Sequence, residues 1–467
     1  MRHSFATQAR FALTATDLVR WLAFVTAVAL TLFLLPGAPA LPTFAAVTLI
    51  TLAALAVYRH SAGWSSRGET VLIAASALLA VGIIANVYVY TTVLGGTDTQ
   101  PVLVNPDAER NFNDAIYYLG INGSRSPGSH GLYPMIVTAV FTLTGPSITA
   151  ALCLSMAATL TTLICVSTIW VRLMARRSDA WLAMAATAAV CYFMASGCIL
   201  VKDAWTVAAF ALAAVALSRM QPVPGFVTAM SVSAFMLFMA RPNMLLALIL
   251  GILIVFPATP RQRHCWHIPA VMIALIAALF CLAHFVYITP RTDIVAGVVN
   301  NNAVSFTEPR HQIYASLIGE YHLLPAWRRI LLMPFSAAVQ FFIPFPWNWL
   351  RDIDFGASLV YAHLAYPWYL FGGTAIYYTF FDLRHSPALM RAIFLWGVII
   401  WLIPCWSFGG TISRYGLMAV PLLAPSVAFS LTRSLRRRSF IIFSSLFILL
   451  VAITLLVCHH LQSGISQ

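Results

Sequence analysis

The chain has 467 residues, 61 % of them hydrophobic and 9 % charged, with a formal net charge of +13. Apolar runs repeatedly reach the ~18–20 residues that a spanning helix needs, which excludes a soluble globular enzyme. The basic excess does not imply nucleic acid as a partner, because the arginines fall in short loops between apolar runs, as the positive-inside rule requires.

The reading is an all-α, polytopic integral membrane protein: a single domain over 1–467 with about 13 transmembrane helices. The first apolar run follows a basic start (Arg2, Arg10, Arg20) with no convincing small-residue cleavage site after it, so it reads as a retained span. With the N-terminus on the cytoplasmic side, the spans fall near 18–35, 41–58, 70–94, 147–171, 180–196, 204–218, 225–240, 243–257, 267–289, 359–381, 392–407, 411–432 and 439–458. The arginine loops Arg59/Arg67, Arg172/Arg176/Arg177, Arg261/Arg263, Arg384/Arg391 and Arg433/Arg436/Arg437/Arg438 are then cytoplasmic. Two large loops, 95–131 and 290–358, lie on the outer face. The segment 225–257 is expected to turn at Arg241-Pro242-Asn243, because one long helix would put Arg219 and Arg261 on opposite sides. The run 132–144 covers only about 20 Å at ~1.5 Å per residue, so 132–145 is expected to be a juxtamembrane helix that does not cross. The run 331–345 behaves similarly. The eight cysteines sit mainly inside apolar runs without a Cys-x-x-Cys pair, a pattern of structural thiols and not of a metal site.

Within the first outer loop, "NPDAERNFNDAIYYL" (105–119) concentrates charge in a chain that has little of it. Asn105 suits an N-cap and Pro106 the first helical position. Ala108, Phe112, Ala115, Ile116 and Leu119 form one apolar stripe, with Asp107, Arg110, Asn111 and Asp114 on the other side. The expected helix, 107–119, lies flat on the outer leaflet with its apolar face down. Its carboxylates have two readings: favourable charges at a helix N-terminus, with Arg110 and Asp114 as an i, i+4 pair, or catalytic groups.

Further outer-side charges follow. Lys202, the one lysine among 27 basic residues, adjoins Asp203 at a turn between spans. Arg241 and Arg414-Tyr415 stand at the outer ends of later spans. Lysine and arginine suit phosphate, arginine by its planar bidentate fork, but each of these is also an interfacial anchor in the alternative reading. Asp352 and Asp354 are a candidate divalent-cation pair in an aromatic-rich stretch that otherwise reads as an interfacial belt. His311 and His322 are candidates for sugar contact, whereas His284 reads as an interior residue.

The order of Asp107-Ala-Glu109, a Gly/Ser-rich turn, Tyr133-Pro134 and a short helix ending in Gly145 resembles the GT-C superfamily of polytopic glycosyltransferases. The similarity extends to Lys202-Asp203 and to Arg414-Tyr415. It resembles the branch that uses polyprenyl-phosphate sugars, such as protein O-mannosyltransferases and aminoarabinose transferases. The resemblance implies an inverting transferase in a bacterial inner membrane with its site on the outer face. A polyprenyl-phosphate-linked sugar is the implied donor and a glycan or lipid the acceptor. Asp107 or Glu109 is then the base, and Lys202, Asp203, Arg241, Arg414, Tyr415 and Tyr133 form the substrate-binding set. Two more spans precede the acidic loop here than in the family, which leaves Asp98 as a rival for the acidic role. An O-antigen or exopolysaccharide polymerase and a lipid-linked sugar transporter are the alternatives.

Overall fold

The computed structural model describes residues 15–36, 39–103, 106–120, 132–219, 223–259, 266–283, 324–342, 366–408, 413–434 and 437–465. Among them every regular element is helical. The α-helices are α1 (Ala15–Leu34), α2 (Ala40–His60), α3 (Ser66–Tyr88), α4 (Pro106–Tyr118), α5 (Tyr133–Thr144), α6 (Ile148–Met174), α7 (Ala180–Ala188), α8 (Cys191–Ser196), α9 (Asp203–Ser218), α10 (Val223–Ala240), α11 (Leu245–Val255), α12 (His267–Ala283), α13 (Ala326–Phe342), α14 (Tyr366–Tyr377), α15 (Ala388–Phe408), α16 (Val420–Ser434) and α17 (Arg438–Ile465). Six stretches among the described residues are long and apolar enough to cross a membrane: Ala40–His60, Ser66–Val93, Ile148–Met174, Val223–Ala240, Ala388–Cys405 and Gly416–Arg433. Large apolar side chains such as Phe33, Leu41, Leu49, Leu446 and Leu456 face outward. An apolar exterior of this kind is expected where lipid replaces water as the solvent.

The centre of the bundle is built from α3, α6, α9 and α10. At one end Ser167 Oγ donates to the carbonyl of Gly63 at 2.9 Å, and Arg172 donates to the Val215 carbonyl and to Ser218 Oγ. Towards the other end, Ser155 Oγ donates to the Ile199 carbonyl at 2.9 Å, just before α9 begins. The helix α6 therefore runs antiparallel to α3 and in the same direction as α9. The return of α10 against α9 is fixed by Ser233 Oγ on the Ala209 carbonyl at 2.7 Å and by an Arg241–Asp203 ion pair. Arg59, Arg67, Arg172 and Arg219 thus gather at one end of this bundle. There the buried Glu69 carboxylate accepts from Arg59 Nε at 2.6 Å and from Trp64 Nε1 at 2.9 Å, so that a buried charge is both paired and hydrogen-bonded. The opposite end carries α4 and α5.

Several sequence expectations change here. Residues 180–196 are not one helix: α7 stops at Ala188, Val190 is extended (φ −73°, ψ 100°), and α8 is a single short piece. The helix near 107–119 forms, as α4, but its apolar face is not directed at a leaflet. Ala108, Phe112 and Ala115 are buried, with Phe112 edge-on to Phe141 of α5 at 5.2 Å between centroids. Asn111 and Asp114, expected on a solvated face, are buried as well. The polar side of α4 rests on protein, and its exposed strip is Glu109, Asn113, Tyr117 and Tyr118.

Two boundaries agree with the sequence. The helix α5 is 12 residues long and stops at Gly145, whose positive φ of 75° suits a residue without a Cβ. The chain also breaks at Arg241 (φ −149°, ψ 79°), after which Pro242 opens a short 3-10 turn.

Candidate functional site

The site is organised by a stretch of irregular backbone. After α8 the chain leaves the helix in a turn at Gly197–Cys198 and runs on irregularly to Val201, and Cys198, Ile199, Leu200 and Val201 are all buried. Buried carbonyls need partners, and here three consecutive ones find them in side chains from three other elements. Asn86 Nδ2 of α3 donates to Cys198 at 2.6 Å, Ser155 Oγ of α6 to Ile199 at 2.9 Å, and Asn111 Nδ2 of α4 to Leu200 at 3.1 Å. A Cβ on Gly197 would lie 2.5 Å from Thr159 Oγ1, so glycine lets this turn approach α6.

This clasp delivers Lys202 and Asp203 to the end of the bundle. Asp203 is the first residue of α9, where the helix dipole favours a carboxylate, and its side chain is bound by Arg241. Both partners are largely buried, with 3 % and 11 % of their side chains exposed. Asn111 brings α4 to the same place, and with it Asp107 and Arg110, which lie one turn or less away on the same helix face. The result is a narrow cleft lined by Asp107, Arg110, Asn111, Val201, Lys202, Asp203 and Arg241. Its volume is about 10 Å³, near the lower limit for one water, so a ligand binds at its mouth or by displacing side chains. Three cations face two carboxylates here, and Arg241 already compensates Asp203. The lining therefore carries one cation more than carboxylates, with the buried Asp114 one turn beyond Arg110 on the same face of α4.

Four residues chosen from the sequence, Asp107, Lys202, Asp203 and Arg241, thus meet in one place. Glu109 does not join them; it is exposed on the far side of α4, because a two-residue step on a helix turns through about 200°. Tyr133, the first residue of α5, is fully buried behind the cleft, edge-on to Trp205 at 6.4 Å between centroids. Burial above all, with the Asp203 carboxylate acting in the same direction, pushes its phenol far up, so it acts as a neutral hydroxyl. That hydroxyl lies beside Ser155 and Asp203 without meeting hydrogen-bond geometry among the described residues.

Asp98 has a structural task. Its Oδ1 accepts from the Thr149 backbone N–H at 3.1 Å and from Thr149 Oγ1 at 2.6 Å, and its carbonyl accepts from Ile148 N at 2.9 Å. It binds the first turn of α6, beside the N-cap residue Ser147. Arg414 and Tyr415 belong to the 3-10 segment Ser413–Ala419, which packs against α9 and α15; their side chains lie outside the described residues. The same holds for His284, His311, His322, Asp352 and Asp354. Among the described residues no three His, Cys, Asp or Glu side chains converge as a metal-binding group.

Arg110 and Asn111 were not among the chosen site residues. Their signal was present in the sequence as the i+3 and i+4 neighbours of Asp107, the positions that share its face. Compared with protein-family models, curated proteins and solved structures, the chain matches none.

Proposed function

We propose that the protein is a membrane glycosyltransferase of GT-C type. In this reading it moves a sugar from a polyprenyl-phosphate donor to a glycan or lipid acceptor on the outer face of a bacterial inner membrane. The observation that carries it is the meeting of a carboxylate, Asp107, with Lys202 and Arg241 at the bundle end opposite the arginine loops. By the positive-inside rule that end is the outer one, and the layout of about 13 spans belongs to the same reading.

The chemistry is a displacement at the anomeric carbon. The acceptor hydroxyl oxygen forms the new bond to C1 while the bond from C1 to the phosphate oxygen breaks, its electron pair leaving on the phosphate. Asp107 takes the hydroxyl proton as general base. Lys202 and Arg110 stabilise the negative charge that develops on the phosphate, and Arg241 holds Asp203 while contributing its own charge to the same spot. Because α4 and α5 cover the site from the end of the bundle, the lipid would enter from the side, between helices.

The broken α7–α8 segment raises a transporter as a second reading, since carriers often bind substrate at interrupted helices. In such carriers the unwound carbonyls serve the cargo. Here the carbonyls of 198–200 are held by Asn86, Ser155 and Asn111, which favours a fixed scaffold.

The test is release of polyprenyl phosphate from labelled polyprenyl-phosphate hexoses by protein in lipid nanodiscs, with membrane lipids and glycans offered as acceptors. Asp107→Asn should fold normally and lose about 10²–10⁴-fold in rate. Tolerance of Asp107→Asn combined with loss in Arg414→Ala would favour the polymerase, in which the outer arginines dominate over the carboxylates. Wild-type rates in both variants, or no release by the wild type, would overturn the proposal.

A further inference from the structure

At the arginine-rich end, an open groove of about 560 Å³ runs between α2 and α6 and is closed on one side by Val215 of α9. Its walls are mostly apolar: Ala56 and Val57 from α2, Ile164 and Cys165 from α6. The groove changes character towards the end of the bundle. His60 and Ser61 line it there, and Ser61 Oγ is a buried hydroxyl with no hydrogen-bond partner among the described residues.

Arg172 follows Thr168, another wall residue, by one turn on the same face of α6. Its guanidinium reaches across to the carbonyl of Val215 and to Ser218 Oγ. Arg219 is close enough for its charge to act on Arg172. Neither arginine pairs with a carboxylate among the described residues, in contrast to Arg59 and Arg20, which share Glu69. Two neighbouring uncompensated guanidiniums are unfavourable by themselves, and two more arginines, Arg176 and Arg177, follow in the next loop.

The geometry points to a binding site for one anionic phospholipid of the leaflet at this end, with an acyl chain in the α2–α6 groove and its phosphate between Arg172, Arg219 and His60. The occupant must be amphiphilic, because the groove is apolar along its length and cationic only at its end. It must be anionic, because a zwitterionic headgroup would bring a third cation to the arginine pair. Arg172 also ties α6 to α9, so an occupied site reinforces the junction of the helices that carry the clasp at the far end. The inference does not rest on the proposed activity, which belongs to the opposite end of the bundle.

Native mass spectrometry of the detergent-purified full chain, titrated with phosphatidylglycerol and phosphatidylcholine of matched chains, tests it. Phosphatidylglycerol should be retained preferentially. Arg219→Gln, at an exposed position with no side-chain hydrogen bond among the described residues, should weaken that retention about fivefold. Val57→Trp, which fills the groove from its exposed side, should weaken it at least as much, with thermal unfolding of both variants checked against the wild type. Inorganic phosphate at the same concentration should not displace the lipid. Equal retention of the two lipids, unchanged phosphatidylglycerol binding in either variant, or displacement by inorganic phosphate would overturn the inference.

Discussion

The side-chain amide of Asn111 donates to the carbonyl oxygen of Leu200 at 3.1 Å, and this bond joins the helix carrying Asp107 to the backbone two residues before Lys202. Asn111 is buried, as is the segment it holds, so water cannot replace it. Asn111→Leu keeps the branched shape but leaves a buried carbonyl without its donor, at a cost of about 1–3 kcal/mol. Its thermal unfolding temperature should fall, and transfer should fall with it because α4 loses its register against Lys202. An Asn111→Leu protein as stable and active as the wild type would show that the bond does not position the site.

The Arg241–Asp203 pair makes a different prediction, because both groups are largely buried. Arg241→Gln strands a buried carboxylate and should destabilise by about 3–5 kcal/mol, whereas the double variant Asp203→Asn/Arg241→Gln should recover most of the loss. Unfolding of the two single variants and the double variant measures the coupling. Additive effects would mean that the pair does not act as a unit.

Asp98 and Asp107 are separated by nine positions but should behave oppositely. Asp98 holds the first turn of α6, so Asp98→Ala should cost about 1 kcal/mol of stability and leave turnover within a few-fold of wild type. Asp107→Asn should leave stability nearly unchanged and remove turnover. Comparing unfolding and transfer in the two variants separates a structural carboxylate from a reacting one. The reverse pattern would return the acidic role to Asp98.

A fourth prediction concerns the packing of α11 on α15. A Cβ on Gly251 would fall 2.3 Å from Trp396 Cε2, and Trp396 Nε1 donates to the Ala247 carbonyl at 2.8 Å. Gly251→Val should therefore overpack this contact and cost about 1–3 kcal/mol. Tryptophan fluorescence should report the displaced ring. An unaltered melting temperature would show that the contact yields without strain.

The apolar stripe of α4, the shortness of α5 and the break at Arg241-Pro242 were all legible in the sequence, because each depends on residues within a few positions of one another. Hydropathy also marked the long apolar helices. It misjudged 180–196, since hydropathy measures transfer from water and says nothing of whether a backbone carbonyl is bonded within its own helix. The irregular backbone that follows α8 can be buried because donors arrive from elsewhere. Asn86 is 112 positions from Cys198, Asn111 is 89 from Leu200 and Ser155 is 44 from Ile199.

Those distances also set what no reading of the chain could supply. Residue types and helical periodicity determined which groups were available: the Asp107 face of α4, the lone lysine beside Asp203, and arginines at the ends of apolar runs. Only the tertiary structure decided that Asp107, Lys202, Asp203 and Arg241 share one cleft while Glu109 does not, and that Asp98 binds the first turn of α6. A helix fixes which residues share a face, but which face is buried depends on what packs against it. For α4 that partner is the next helix, α5, together with a backbone segment that lies 89 positions from Asn111.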